Sequence, residues 1–343
     1  GLGTIEIKAM RDHGYSAEFA VGVTAASATL GPIIPPSLPF VIYAMFANVS
    51  IGALFLAGIL PGIVMSLLMM ATVAWFAYRK GWGGDVKFDG RRMARALLEL
   101  AIVIGFPLTL WQLAQFDLNL QLTFAVALVL LFLADWYFRF DAVLPMLTPV
   151  LLIGGMTTGV FTATEGAIAA CVWALALGVI WYRTLTMRQI IRITMETIET
   201  SSTVLLIVAA ASIFGWMLTA TKTTEAIATW VLAFTNDPMT FLLLANLLML
   251  FVGCFLEPTA AITILVPILL PIVKTLGIDP IHFGLVMVLN LMIGLLHPPM
   301  GLVLFVLARV AKLSIERTTM AILPWLAPLL LSLALVTYLS LIH

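Results

Sequence analysis

The sequence has 343 residues, 62% of them apolar and only 10% charged, and its 17 basic side chains balance its 17 acidic ones. A mean hydropathy of +1.14 excludes most soluble proteins, which are about one quarter charged. No basic excess is available to neutralise phosphates, so nucleic acid is excluded as a partner. Cys171 and Cys254 both lie in apolar runs, which predicts two inert, membrane-buried thiols and no disulfide framework. The sequence therefore predicts an all-α polytopic membrane protein in a lipid bilayer.

Ten apolar runs follow one another along the chain, each long enough to cross the bilayer. A spanning helix needs about 17 to 25 such residues. Two further segments, 186–199 and 222–235, are too short and too polar to span and are predicted to lie along the membrane surface. The apolar runs cover residues 17–46, 52–78, 97–116, 121–140, 142–159, 165–183, 200–219, 239–273, 281–307 and 318–341.

Basic residues gather in two of the connections and set the predicted orientation. Nine of the 17 Lys and Arg residues fall within 79–95 and 183–192. Lys and Arg near the ends of spans mark the cytoplasmic side of a membrane protein. Four predicted spans separate the two loops, so both loops can be cytoplasmic without contradiction.

The two ends of the chain repeat one pattern. An ungapped offset of 263 residues pairs Gly31 with Gly294, and the Pro-Pro pair at 35–36 with the pair at 298–299. Each copy predicts a helix that is broken at Gly-x-x-x-Pro-Pro. Counting crossings from the basic loops makes the copies antiparallel, so we predict an inverted repeat with discontinuous transmembrane helices. Such a pair indicates a secondary transporter with its site near the membrane midplane.

The segment 239–273 carries a polar interruption at Glu257 between two apolar arms. It is predicted to be a re-entrant hairpin that enters from the outside. The same offset places the first copy's hairpin tip ahead of residue 1, so we expect residues 1–8 to be only its returning arm and the chain to be truncated at the N-terminus.

The predicted domains follow the repeat, with a transport element at each end of the chain. The first element holds the partial hairpin, the broken helix 17–46 and the span 52–78; the second holds the hairpin 239–273, the broken helix 281–307 and the span 318–341. A basic loop, two extra spans, and a scaffold with the surface helices lie between them. In chain order the domains are residues 1–78, 79–95, 96–140, 141–238 and 239–341.

The two helix breaks are the predicted binding sites. Proline lacks an N–H group, so Pro298 and Pro299 release nearby backbone carbonyls from helical bonding. In a membrane such carbonyls are costly unless something coordinates them, and a small cation does so. The half-helix after the break favours an anion at its N-terminus. Cation-site candidates are Ser27, Thr29, Gly31, Pro32, Pro35, Thr259, Asn290, Gly294, His297 and Pro298; solute-site candidates are Pro36, Ser37, Glu257, Thr259, Pro299 and Gly301.

Each candidate also has a purely structural interpretation. The prolines can be kinks that allow helices to pack. Ser27 and Asn290, which occupy equivalent positions in the two copies, can be hydrogen-bonding contacts between helices. Glu257 can sit in water at the hairpin tip, because an ionised carboxylate inside the membrane costs about 2.5 kcal/mol or more.

Several stretches of the sequence are similar to one transporter family. The chain resembles the large membrane subunit of the tripartite ATP-independent periplasmic (TRAP) transporters over most of its length. The resemblance implies an elevator-type, Na⁺-driven importer of carboxylate-bearing organic acids in the bacterial inner membrane, with Na⁺ as coupling ion and no other cofactor. It also implies two partners, a small membrane subunit and a periplasmic solute-binding protein. The matching stretches are TAASATLGPIIPPSLPFVIY at 24–43, SIGALFLAGILPG at 50–62, GVFTATEGAIAA at 159–170, FLEPTAAITILVPILLPIV at 255–273, LGIDPIHFGLVMVLN at 276–290 and GLLHPPMGLVLFV at 294–306.

The chain departs from the family pattern at two places, and two other functions compete. Three predicted spans replace one between the basic loop and residue 159, and His297 stands where the family has Thr, which suggests pH-sensitive coupling. An ion or proton antiporter or symporter that works without a binding protein is the main alternative. An intramembrane enzyme is disfavoured, because neither HExxH nor GxSxG occurs; we therefore expect no enzyme.

Overall fold

The computed structural model describes residues 2–82, 89–114, 143–157, 161–298 and 301–339, and their regular structure is entirely helical. Five of the described helices are long and apolar enough to cross a membrane. This confirms the predicted all-α polytopic membrane architecture. The helices are α1 Leu2–Asp12, α2 Ala17–Ala28, α3 Leu38–Ala47, α4 Ile51–Lys80, α5 Gly90–Ala114, α6 Val143–Thr157, α7 Ala163–Ala176, α8 Met187–Ala220, α9 Thr223–Phe234, α10 Pro238–Gly253, α11 Pro258–Thr275, α12 Pro280–Gly294, α13 Leu302–Ala311 and α14 Ile315–Leu339, with a π-helical turn at Leu177–Trp181 after α7.

The chain forms two compact units. One unit comprises Gly1–Gly83 and Ile198–His343, and the other comprises Gly84–Thr197. In the second unit, α5, α6 and α7 pack around a small core of Val143, Leu144, Leu147 and Leu177. The predicted span 121–140 lies outside the described residues. The proposed functional sites all belong to the first unit.

Residues 187–220 form one continuous helix, where the sequence predicted a surface segment at 186–199 and a separate span at 200–219. The separation is wrong. No proline occurs in this helix, and its one glycine lies near the C-terminal end, so nothing in the covalent structure stops helix propagation. The polar stretch at Thr197–Thr203 suggested a boundary, but polar side chains on a helix surface need not end it.

Both predicted helix breaks are present. The first separates α2 from α3 across residues 29–37, and the second separates α12 from α13 across residues 295–301. Side-chain caps begin the half-helices: Ser16 accepts a hydrogen bond from the N–H of Phe19, and Ser37 accepts one from the N–H of Phe40. These caps satisfy N–H groups that a helix start leaves without partners.

The segment predicted as a hairpin consists of two apolar helices, α10 and α11, joined by residues 254–257. Asp237 begins α10 and accepts hydrogen bonds from the side chain and backbone of Thr240, which lower the pKa of its carboxyl. Glu257 begins α11 by accepting from the N–H of Ala260. A proline directly after each cap fits the first helical turn, where no N–H partner is needed.

The first unit packs its terminal elements together. Helix α14 packs against α2 and α4, α10 packs against α12, and α3 packs against both α11 and α12. The Tyr43 hydroxyl of α3 donates a hydrogen bond to the carbonyl of Pro280 at the start of α12, at 2.6 Å. Elements from the two ends of the sequence thus share one buried core, which places both helix breaks in a single compact unit.

Candidate functional site

The first break satisfies its polar groups locally. The Thr29 hydroxyl is buried and donates to the carbonyl of Ala26 at 2.7 Å, while exposed Ser27 donates to the carbonyl of Thr24 at 3.2 Å. Ser37 is buried and donates to the carbonyl of Pro32. Gly31, Pro35 and Pro36 lie in the turns between these contacts. Side-chain hydrogen bonds of the described candidates here stay within their own copy.

Helix α4 supports the first break through two glycines. A Cβ on Gly58 would lie 2.7 Å from the carbonyl oxygen of Ile33, and one on Gly62 would lie 2.7 Å from a side-chain carbon of Ile34. These distances are shorter than van der Waals contact, so the backbone of the break rests directly on α4. A side chain at either position would push the break away from the helix.

The second break contacts the hairpin through its side chains. The ring Nδ1 of His297 donates to the carbonyl of Pro298 at 2.6 Å, and the Sγ atom of Cys254 lies 3.4 Å from the same nitrogen. Gly301 accepts no side chain without a shift, because a Cβ there would overlap the carbonyl group of Leu295, with the carbonyl oxygen of His297 the next neighbour at 3.0 Å. Pro299 lies outside the described residues.

The expectation of free carbonyls at the second break is only partly correct. The carbonyls of Ile293, Gly294 and Leu295 accept turn hydrogen bonds from the N–H groups of Leu296, His297 and Val303. A carbonyl oxygen carries two lone pairs, so each of these oxygens keeps one site for a cation. Turn formation therefore stabilises the break without removing its capacity to coordinate.

Two helix C-termini meet beside the second break. The hydrogen bond from Asn290 Nδ2 to Asn246 Oδ1, 2.7 Å long, lies one or two turns before the contact of Gly294 with Gly253, so α10 and α12 run parallel. Both helices end at this glycine contact. A Cβ on Gly294 would lie 2.7 Å from the Cα of Gly253, so only glycine allows the approach. Each helix end carries a partial negative charge, and the pair favours a cation.

Asn290 fits both of its sequence interpretations. It is fully buried and its amide donates across to α10, as an interhelical contact does. Its own carbonyl oxygen Oδ1 is buried and has no hydrogen-bond partner among the described residues. Asn246 in turn donates to the Thr337 hydroxyl of α14 at 3.2 Å. The chain of amides holds Asn290 in place and leaves one oxygen free.

The hairpin turn and the start of α11 hold the remaining candidates, Glu257 and Thr259. Glu257 is exposed, whereas Thr259 is buried. The Thr259 hydroxyl donates to Glu257 Oε1 at 2.7 Å, so its oxygen can still accept or coordinate. Glu257 is the last residue of the turn 254–257, which contacts the second break through Cys254, and Thr259 lies in the first turn of α11.

Sequence reasoning missed Asn246, Gly253 and Cys254. An amide inside the apolar run LLLANLLMLF is unusual, because buried polar groups in membrane helices need partners; this signal could have identified Asn246. Gly253 and Cys254 carry no such signal. Their importance comes from contact with residues more than 40 positions away.

Comparison with known proteins identifies the family of this chain. A family model described as "Tripartite ATP-independent periplasmic transporter, DctM component" matches residues 1–342. The chain belongs to the DctM family. The resemblance seen in the sequence is thereby confirmed, and with it a multi-pass location in the bacterial inner membrane.

Three DctM relatives show the range of named functions. The chain is 39% identical to the sialic acid TRAP transporter large permease protein SiaM of Vibrio cholerae, 36% to the isethionate TRAP transporter permease protein DctMQ of Oleidesulfovibrio alaskensis, and 33% to the C4-dicarboxylate TRAP transporter large permease protein DctM of Pseudomonas aeruginosa. Each match covers 98% of this chain. The chain spans 69% of the Vibrio and Pseudomonas proteins but 47% of the Oleidesulfovibrio protein.

Proposed function

We propose that this chain is the permease of a Na⁺-coupled secondary importer for a carboxylate-bearing organic solute. A periplasmic binding protein delivers the solute, and a small membrane subunit completes the complex. Ion coupling, the class of solute and the two partners go beyond family membership and are proposed for this chain. The observation that carries it is the meeting of the α10 and α12 C-termini beside the second break.

A cation at this place is favoured by charge and by donor chemistry. The C-terminus of a helix carries about −0.5 elementary charge, and two such ends lie side by side where Gly253 and Gly294 touch. The unpartnered Oδ1 of Asn290 and the hydroxyl of Thr259 add neutral oxygens. Hard cations prefer oxygen ligands. We therefore propose a Na⁺ site formed by Thr259, Asn290, Gly294, His297 and Pro298.

A second Na⁺ site is proposed at the first break, because the first break repeats the sequence pattern of the second. Thr29 and the backbone from Gly31 to Pro35 are its candidate ligands, with Ser27 at the exposed edge. The hydroxyl of Thr29 is committed to Ala26 as a donor, which leaves its oxygen lone pairs for coordination. The carbonyl of Pro32, which also accepts from Ser37, is a further oxygen ligand.

The solute is proposed to bind between the breaks through its acid group. Helix α3 begins after Ser37 and α13 begins after Gly301, and helix N-termini bind anions through free N–H groups. The solute-site candidates Pro36, Pro299, Glu257 and Thr259 flank these starts or the hairpin turn. Sialic acid, C4-dicarboxylates and isethionate, for which the relatives are named, all carry an acid group.

The inverted repeat is proposed to move as an elevator. In this proposal the hairpin and both broken helices carry Na⁺ and solute together across the membrane. The core shared by α2, α3 and α10 to α13 supports such a body, because the two copies bury their surfaces against each other. Domain boundaries 1–78 and 239–341 are proposed for the mobile elements.

Solute uptake by the full-length complex tests the proposal. Liposomes containing permease and small subunit are supplied with binding protein and radiolabelled organic acid, under an inward gradient of Na⁺ or of K⁺. Uptake is expected only with Na⁺ and binding protein together. Equal uptake in K⁺ would contradict Na⁺ coupling. Uptake without binding protein would instead favour the independent ion or proton transporter, for which His297 is the motivating residue.

A further inference from the structure

A thiol, an imidazole and a carbonyl oxygen converge where the hairpin turn contacts the second break. The Sγ atom of Cys254 lies 3.4 Å from His297 Nδ1 and 3.6 Å from the carbonyl oxygen of Pro298. His297 Nδ1 lies 2.6 Å from that oxygen. The Sγ atom of Cys254 also lies 3.2 Å from the carbonyl oxygen of Leu250 in α10. The three donor atoms come from two segments that are 43 residues apart in sequence.

The distance between Cys254 Sγ and His297 Nδ1 allows both atoms to bind one metal ion. Zinc binds thiolate sulfur at about 2.3 Å and imidazole nitrogen at about 2.0 to 2.1 Å. Two such bonds that end on atoms 3.4 Å apart enclose an angle of about 100° at the metal, which is close to tetrahedral. The Pro298 carbonyl oxygen lies only 2.6 Å from Nδ1, which would close the nitrogen–metal–oxygen angle to about 80° for bonds of about 2.1 Å. The sulfur and the nitrogen are therefore the two protein ligands that this geometry offers.

We propose that Cys254 and His297 form a binding site for a thiophilic transition-metal dication such as Zn²⁺ or Cd²⁺. The metal forms bonds to Sγ and Nδ1, the thiol releases its proton to water, and the neutral imidazole moves its proton from Nδ1 to Nε2. The Pro298 carbonyl loses the hydrogen bond from Nδ1. Water supplies the remaining ligands.

The two ligands differ in exposure and the cluster is small. Cys254 is 3% exposed, whereas His297 is half-buried. Among the described residues no third Cys, His, Asp or Glu joins the cluster, so the expected affinity is that of a modulatory site rather than of a permanent structural one. The second cysteine, Cys171, is exposed on the protein surface and lies in the other unit.

A bound metal would fasten the hairpin turn to the second break. Its two bonds join α10 to the segment between α12 and α13, the place at which the proposed Na⁺ site would have to open and close. Inhibition of uptake by Zn²⁺ or Cd²⁺ rests on the proposed function, but binding of the metal does not. The two parts can therefore be tested separately.

Direct binding is measured with Cd²⁺ on the purified full-length complex carrying Cys171→Ser. Titration in K⁺ buffer, without solute or Na⁺, follows the ultraviolet thiolate-to-cadmium charge-transfer band. One equivalent is expected to saturate the band, which disappears with Cys254→Ser. His297→Gln should weaken the affinity by about 10- to 100-fold, as loss of one participant in a metal site does. A band that survives Cys254→Ser, or an affinity unchanged by His297→Gln, would overturn the site.

A second measurement needs no variant of either ligand. In the Cys171→Ser background, Cd²⁺ is expected to slow maleimide labelling of Cys254, as identified by peptide mapping, and Ca²⁺ at the same concentration is expected not to. Equal labelling with and without Cd²⁺ would contradict the proposal. If Cd²⁺ binds but Na⁺-driven uptake continues at its full rate, the site exists and the fastening role is overturned.

Discussion

The two helix breaks share a sequence pattern but differ in how they are held. The first break satisfies its side chains within its own segment and rests on the glycine face of α4. The second break is joined to the hairpin by the glycine contact and by His297 and Cys254. Equivalent positions therefore differ in environment: Ser27 is exposed, and Asn290 is fully buried. A repeat in sequence therefore sets where the backbone breaks, while packing decides which elements hold each break in place.

The largest expected difference lies between Gly294→Ala and Gly31→Ala. A Cβ on Gly294 would lie 2.7 Å from Gly253, whereas one on Gly31 would meet its nearest atom, the carbonyl oxygen of Ala28, at an ordinary 3.7 Å. Overpacking costs about 1 to 3 kcal/mol, so Gly294→Ala should lower the free energy of unfolding by about that amount and abolish Na⁺-driven uptake. Gly31→Ala is the matched control. Equal losses in chemical unfolding would show that the breaks are supported alike.

The next difference is between Asn290→Ala and Ser27→Ala. Removing the Asn290 amide leaves Asn246 Oδ1 buried without its donor, at a cost of about 1 to 3 kcal/mol in unfolding free energy. Surface changes such as Ser27→Ala usually stay within about 0.5 kcal/mol. If Asn290 is also a ligand, the Na⁺ concentration for half-maximal uptake should rise more than expression falls, as it should for Pro298→Ala. An unchanged Na⁺ response in both variants would contradict the Na⁺ site proposed at the second break.

A further comparison separates two threonines of α11. Thr259 and Thr263 are both buried, and Thr263 donates within its helix to the carbonyl of Ala260. Thr259→Val removes the hydroxyl that donates to Glu257 and is a proposed Na⁺ ligand, so the Na⁺ requirement should rise by about tenfold, equal to loss of about 1.4 kcal/mol. Thr263→Val should leave the Na⁺ dependence of uptake unchanged. A shift in the Thr263 variant alone would place the site deeper in the hairpin.

The smallest expected effect concerns the ion pair between Arg317 and Glu18, which joins the first turns of α14 and α2 at 2.6 Å. Both side chains are exposed, and exposed pairs contribute about 0 to 1 kcal/mol. Arg317→Gln should therefore change thermal stability only slightly, and less at high salt. A loss as large as that of Gly294→Ala would mean that this end of the unit, rather than the second break, supports the core.

The sequence allowed prediction of the features that depend on backbone chemistry. Gly31, Pro35, Gly294 and Pro298 break helices for covalent reasons, so the positions of both breaks could be predicted without tertiary contacts. The continuity of α8 from Met187 to Ala220 could not be predicted, because a polar stretch inside a helix resembles the connection between two helices. Features set by the local backbone could therefore be predicted, and features set by contacts between distant residues could not.

The candidate site could be predicted only in part, for the same reason. Residue types and spacing indicated Asn290 and Thr259 as oxygen donors. They could not indicate the partner Asn246, the contact of Gly253 with Gly294, or the approach of Cys254 to His297, because these depend on how α10 packs against α12. Side-chain periodicity within one helix carries little information about which neighbouring helix it meets.

The most direct test of a cation site at the second break is the stability of the purified full-length complex in Na⁺ and in K⁺ at equal ionic strength. A ligand that binds only the folded state stabilises it by about 2.7 kcal/mol at 100 times its dissociation constant. Na⁺ should raise the unfolding midpoint above that in K⁺, and Thr259→Val and Asn290→Ala should each reduce this difference. Identical midpoints in Na⁺ and K⁺, or a difference untouched by both variants, would contradict the account.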